Sequence, residues 1–170
     1  MPSQYLDEFI RELRRDGDAA FRAHHAGPVI IVTRAAGEQK EGPGAEATVM
    51  AETSGWRIQQ VSLINRVFGV SRGAFEKETP VVVGRGETVA DIVIPDDSIS
   101  KRHALFEATR AGVTITDCGS TNGTTIGETE LPAHEPRLLR GGESIGMGSF
   151  SFLFHTPAGF LDYLKRVVKL

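Results

Sequence analysis

From Trp56 to Phe154 the chain is cut into short β-branched and aromatic runs, each closed by turn-forming residues. Candidate strands contain Ile58–Leu63, Val67–Val70, Pro80–Val83, Ile92–Ile94, His103–Ala108, Val113–Thr116, Thr124–Ile126 and Phe150–Phe154. Where a period is readable, it is two. Val113 and Ile115 alternate with Thr114 and Thr116, and Phe150, Phe152 and Phe154 share a face opposite Ser151 and Leu153. Arg110-Ala111-Gly112 and Asn122-Gly123 read as hairpin-type turns. Short strands with such frequent turns predict an all-β sandwich or barrel, not a parallel sheet. The glycine content agrees: 19 of 170 residues, about 11%, against a usual ~7%.

Helical patterns flank this region. Leu6, Phe9, Ile10, Leu13, Ala20 and Phe21 recur near helical spacing, with Ser3 as the expected N-cap and Gly17 as a point where the helix could split. At the other end Thr156-Pro157 is an N-cap followed by proline at the first helical position. Phe160, Leu161, Leu164, Val167 and Val168 form the expected apolar face of this second helix, and Lys165, Arg166 and Lys169 complement its dipole. Both apolar stripes need burial, so the helices are expected to pack on each other or on the sheet. Between them Val29–Thr33 is a further strand, and 34–55 is a polar, Gly/Ala/Glu-rich loop. The expected organisation is a helical extension over 1–27, leading strands over 28–64, a β core over 65–155 and a C-terminal helix over 156–170.

The charges nearly cancel, 19 basic against 22 acidic residues for a net −3. That argues against a nucleic-acid-coating surface. No apolar run approaches the ~18 residues of a membrane span, and the N-terminus lacks the pattern of a signal peptide. Cys118 is the only cysteine. It excludes an intramolecular disulfide and leaves too few thiolates for a structural zinc site, which points to a reducing, cytoplasmic setting. The five histidines, including His24-His25, show no metal-ligand spacing, so neither metal nor cofactor is expected.

The residues with chemistry to offer lie on strand connections. Arg85, Ser100-Lys101 and Thr121-Asn122 are far apart in sequence but meet if their connections share one end of a sandwich. A guanidinium, an ammonium, two hydroxyls and an amide would then converge, a donor set suited to an anion. Phosphate fits it: arginine offers a fork to two oxygens, lysine a point charge, and hydroxyls reach the remaining lone pairs.

The order Gly84-Arg85, Ser100-x-x-His103, Gly119-Ser120-Thr121-Asn122-Gly123-Thr124 and Gly142-Glu143-x-Ile145-x-x-Gly148 resembles the forkhead-associated (FHA) domain family. The gaps agree, 15 residues from Arg85 to Ser100 and 22 from Ser100 to Asn122. The resemblance covers about residues 65–155. It implies a sandwich of about eleven short strands (SMAD/FHA type) that reads phosphothreonine through loops at one end. By the same resemblance Arg85, Ser100, Lys101 and Thr121 hold the phosphate, and Asn122 binds the partner's main chain. Gly84, His103, Gly119 and Gly123 are architectural, and a selectivity position lies near Ser98 or Ile99. The implied function is a non-catalytic phosphothreonine-dependent adaptor in Ser/Thr kinase signalling. Its partner would be a phosphothreonine protein or peptide, such as a kinase or its substrate, with no nucleic acid or membrane involved.

These residues also admit other readings. Arg85 alone could be a surface arginine. Ser100, His103 and Asp117 could form a hydrolase triad, but no nucleophile elbow or oxyanion loop accompanies them. Ser98-x-x-Lys101 matches a β-lactamase motif without its partner motifs. Asn122-Gly123-Thr124 is a glycosylation sequon only in an exported protein, and Cys118 reads as a packed small side chain. A domain that keeps the fold yet docks partners without phosphate is the alternative within the binding class. Thr48 and Thr53 stand in the long loop, where phosphorylation would let it fold back onto the binding face.

Overall fold

The computed structural model describes residues 3–35, 63–71 and 79–168. The expected strand at 58–63 apart from Leu63, which is a buried turn residue, most of the 34–55 loop, and Thr48 and Thr53 lie outside the described residues. Among those described, twelve strands form two sheets. The first strands are β1 (Ser3–Tyr5), β2 (Val29–Arg34), β3 (Arg66–Gly69), β4 (Val81–Gly84), β5 (Ile92–Val93) and β6 (Ala104–Thr109). They are followed by β7 (Gly112–Asp117), β8 (Thr124–Ile126), β9 (Thr129–Glu130), β10 (Arg137–Leu139), β11 (Ser144–Met147) and β12 (Phe150–His155). One sheet has the order β1-β3-β2-β12-β11-β8-β9 and the other β10-β7-β6-β4-β5. All pairs are antiparallel except β4 with β5. This is the all-β sandwich that the punctuated sequence predicts.

The inner faces make one continuous core. Ile30 and Val32 of β2, Val81 and Val83 of β4, Phe106, Ile115, Ile145 and Met147 meet Phe150, Phe152 and Phe154 there. Period-two alternation in β7 and β12 decides which side chains enter it. β2 is apolar at every position from 29 to 32 because both its faces are covered. Val29 and Ile31 point to the opposite side and join a second cluster with Val67 and the two helices.

Helix α1 (Leu6–His24) breaks at Gly17, whose φ of 77° and ψ of 173° lie outside the helical region. Glycine tolerates that conformation, whereas most residues would be strained. Its N-cap is Tyr5, not Ser3, because Ser3 is drawn into β1 opposite Phe68. Helix α2 (Pro157–Val168) starts as its sequence predicts, with Thr156 Oγ1 accepting the Gly159 N–H at 3.2 Å and Thr156 O accepting that of Phe160 at 2.8 Å. The two helices pack together and on the outer face of the larger sheet. Phe9 meets Phe160 edge-on at 5.2 Å, and Leu6, Leu13, Phe21, Leu161 and Leu164 complete the cluster. Val167 was expected on the apolar face but is 47% exposed, one step past the stripe that reaches the sheet. No helix among the described residues is long and apolar enough to cross a membrane.

Of two turns that look local in the sequence, one crosses between sheets. Arg110-Ala111 joins β6 to β7 within one sheet, as a hairpin turn should. Asn122-Gly123 does not, because it carries the chain from β7 in one sheet to β8 in the other. That crossing brings its residues over the end of the sandwich.

Candidate functional site

Three connections meet at this end: 85–91 after β4, 94–103 before β6, and 118–123 between β7 and β8. Arg85 donates its N–H to Ser100 O at 3.0 Å, and Gly86 donates to Lys101 O at 3.2 Å. The first two connections therefore run side by side. Gly84 permits this: a Cβ there would lie 2.2 Å from Lys101 O. The third connection is tied in by Ser100, whose Oγ accepts the Thr121 N–H at 3.0 Å and lies 3.4 Å from Thr121 Oγ1. Asn122 donates from Nδ2 to Ser98 O at 2.7 Å. Arg85, Ser100, Lys101, Thr121 and Asn122 thus gather on adjoining loops.

His103 braces this end from beneath. It is wholly buried. Its Nδ1 accepts the Ser100 N–H at 3.1 Å, and Nε2 donates to Gly123 O at 3.0 Å. The first contact needs a bare Nδ1 and the second a protonated Nε2, so one neutral tautomer satisfies both. Asp117 is a second brace, a role that its place in the candidate triad does not suggest. Burial works against its charge. The opposing hydrogen bonds from the Ser120 and Thr124 hydroxyls and the Ser120 and Gly119 N–H groups prevail, so its pKa lies below the usual value. Gly119 and Gly123, at φ of 77° and 72°, supply the left-handed turns on either side of Thr121.

Two further contacts escaped the sequence reading. Ser98 Oγ donates to Asp96 Oδ1 and accepts the Ser149 N–H at 2.9 Å, which ties in the β11–β12 hairpin. Gly148 makes the approach possible, since a Cβ there would lie 2.4 Å from Ser98 O. The spacing Asp96-x-Ser98 was the available signal, a side chain that bonds the backbone two residues on. Ile99, expected near a selectivity position, is fully buried in the core and cannot face a partner. Glu143 of the Gly142-Glu143 motif belongs to the other end of β11, where its carboxylate accepts the Arg140 and Gly141 N–H groups.

The electrostatics favour an anion. Arg85 and Lys101 are exposed, and neither side chain has a hydrogen-bond or ion-pair partner among the described residues. Two cations with no ion-pair partner among the described residues share the loops that carry the Ser100 and Thr121 hydroxyls. The triad alternative finds no such support. Ser100 meets His103 through its backbone N–H and not its hydroxyl, and Asp117 bonds Ser120, Thr124 and Gly119 rather than the imidazole. Burial raises the Cys118 thiol above its ordinary pKa, which suits a packed side chain.

Two outcomes test this local account. Gly84→Ala should cost about 1–3 kcal/mol by overpacking and should weaken any ligand that spans Arg85 and Ser100; urea unfolding measures the first. The second outcome concerns pH. Burial lowers the His103 pKa, against the raising effects of Gly123 O and Asp117; burial and then Arg166 lower that of His155. Unfolded, both titrate near pH ~6.5. Below that the unfolded chain binds protons that the folded chain resists. Stability is therefore full above about pH 6.5 and declines as pH falls toward the lowered folded values, by at most about 1.4 kcal/mol per unit per histidine. Melting curves should show this decline. His155→Phe should make it shallower without loss at neutral pH, because His155 Nε2 is buried with no hydrogen-bond partner among the described residues.

Comparison with known proteins gives the same architecture. The FHA domain family model matches residues 81–148, a span that holds Arg85, Ser100, Lys101, His103, Thr121 and Asn122. The oxoglutarate dehydrogenase inhibitor of Corynebacterium efficiens is 31% identical over 90 residues. That match spans 51% of this chain and 59% of the relative's length. The FHA domain of an Arabidopsis thaliana hypothetical protein aligns with a TM-score of 0.52 at 20% identity, over 77% of this chain and 86% of that one. An FHA domain from Chlamydia trachomatis aligns with a TM-score of 0.50 at 22% identity, over 76% of this chain and 96% of that one.

Proposed function

We propose that the FHA domain at residues 81–148 of this chain reads phosphothreonine in a partner protein and works as a non-catalytic adaptor in Ser/Thr kinase signalling. The observation that carries this reading is the pairing of two cations, unpartnered among the described residues, with a braced hydroxyl pair. Arg85 and Lys101 lie on adjoining loops, and Ser100 and Thr121 are joined through Ser100 Oγ. A phosphothreonine brings about −1.5 to −2 charges and three acceptor oxygens. In this account Arg85 takes two of those oxygens in a fork, Lys101 adds a point charge, and Ser100 and Thr121 donate to the remainder. Asn122 holds the adjacent peptide backbone with the amide capacity left after its bond to Ser98. His103 and Asp117 stay out of contact with the ligand and fix the loops beforehand, which lowers the ordering cost of binding.

The lone Cys118 and the near-neutral charge favour a cytoplasmic setting and a protein partner. The relative named as an oxoglutarate dehydrogenase inhibitor supports a regulatory, non-catalytic role. Titration of a phosphothreonine peptide and its unphosphorylated twin, each against the chain, tests the reading. Binding of the phosphorylated form alone is expected. Equal binding of both would favour the phosphate-independent scaffold.

A further inference from the structure

The kink at Gly17 folds the two halves of α1 back on each other, so residues far apart in sequence become neighbours. Glu12 Oε1 accepts from His24 Nδ1 at 3.1 Å, and Glu12 Oε2 accepts from His25 Nε2 at 2.9 Å. Asp16 stands one turn after Glu12 on the same helical segment. Ligand atoms of Glu12, Asp16 and His24 all lie within 4.8 Å of one another. Tetrahedral zinc, with bonds of about 2.0–2.2 Å, holds its ligand atoms roughly 3.3–3.5 Å apart. Rotation of His24, whose ring is 60% exposed, against the half-buried Glu12 and Asp16 closes that difference.

The geometry points to a divalent transition-metal site of the zinc class, formed by Glu12, Asp16 and His24. One imidazole and two carboxylates suit zinc or cobalt better than magnesium or calcium, which favour all-oxygen shells. Three protein ligands leave one position for water. His24 is mostly exposed, and with His25 it borders a cleft lined also by Gln4, Gly27 and Pro28, so solvent reaches the site. His25 stays outside the metal's coordination and keeps its bond to Glu12 Oε2, orienting the carboxylate as metal-bound groups are usually oriented. Its ring is fixed in turn by Phe9 at 5.0 Å and Phe21 at 4.5 Å.

Two rearrangements accompany binding. His24 presents a bare Nδ1 by moving its proton to Nε2 through water, with no net change in charge. Arg15, which now holds both Asp16 oxygens at 2.7 Å, swings away; its side chain is largely exposed, so water takes over its hydrogen bonds, and the lost fork is a cost that metal binding has to exceed. The metal then bridges the two segments across Gly17. It would pin α1 in the bent form that packs on Phe160.

The test is titration of the whole 170-residue chain with cobalt(II), followed by displacement with zinc. Visible d–d absorption of a four-coordinate site is expected, together with a zinc-dependent rise in melting temperature. His24→Gln and Asp16→Asn should each lower zinc affinity at least about tenfold, as outer-shell losses alone can do. The metal-free melting curves of both variants should stay close to that of the wild type. Should Asp16→Asn fail to fold, His24→Gln alone carries the test, since the His24 ring is 60% exposed. Absence of both cobalt absorption and a zinc-dependent melting shift would overturn the assignment. So would unchanged zinc affinity in His24→Gln, which would place the metal elsewhere.

Discussion

A chain shortened to residues 26–170 should aggregate or melt far below the intact protein. The truncation removes Leu6, Phe9, Leu13 and Phe21, all buried. It also uncovers Phe160, Leu161 and Leu164 on α2 and Val29, Ile31 and Val67 on the outer face of the sheet. Burial of each large apolar side chain contributes ~1.5–3 kcal/mol, so the four lost together represent about 6–12 kcal/mol. That is comparable with the ~5–15 kcal/mol stability of a whole domain. The loss of β1 also leaves β3 without its outer neighbour, an unpaired edge that invites association. The sandwich core is a separate cluster, so some β structure should survive while solubility fails. Scanning calorimetry of both chains decides the matter. An unchanged melting curve would show that α1 is not part of the folded unit.

The sequence made the architecture legible where one physical rule dominated. Phe150, Phe152 and Phe154 alternate with less buried neighbours because one face of β12 meets the core, and period two reports that directly. Thr156-Pro157 announced α2 because hydroxyl capping and a fixed proline φ are local effects. β9 was not legible: Thr129 and Glu130 are both exposed, so no burial pattern marks them. β1 was hidden for a related reason, being three residues held by pairing with β3. Asn122-Gly123 carries the local chemistry of a hairpin, yet tertiary context uses it to cross between sheets.

The candidate site divides in the same way. Arg85, Ser100, Lys101, Thr121 and Asn122 were named from ordered motifs, and the fold gathers them on adjoining loops. The bracing by Asp117 is local, a turn onto Gly119, Ser120 and Thr124 that the triad alternative obscured, whereas the contact of Ser98 with Ser149 was not legible, because it depends on which loops touch. His24 and His25 showed no metal-ligand spacing along the chain. Their neighbour Glu12 arrives only through the backbone turn at Gly17.

The largest effect on binding should come from Arg85. Hydrogen bonds to charged groups contribute ~1.5–3 kcal/mol each, and a forked guanidinium makes two. Arg85→Ala should therefore weaken phosphothreonine-peptide binding about a hundredfold or more, since ~1.4 kcal/mol is one decade. Its side chain has no partner among the described residues, so the melting temperature should hardly change. Arg85→Lys should recover only part of the affinity, because an ammonium cannot reproduce the fork. Asn122→Ala should weaken peptide binding more than binding of free phosphothreonine, and it should also loosen the 94–103 connection by freeing Ser98 O. His103→Ala should act on stability first, because both ring nitrogens hold loop backbone.

The most direct measurement is calorimetric titration of one phosphothreonine peptide into wild-type and Arg85→Ala protein, with melting curves of both recorded alongside. The account predicts tight binding by wild type, a loss of at least about two decades in the variant, and superimposable melting curves. Equal affinity of the two proteins for the phosphopeptide would contradict it.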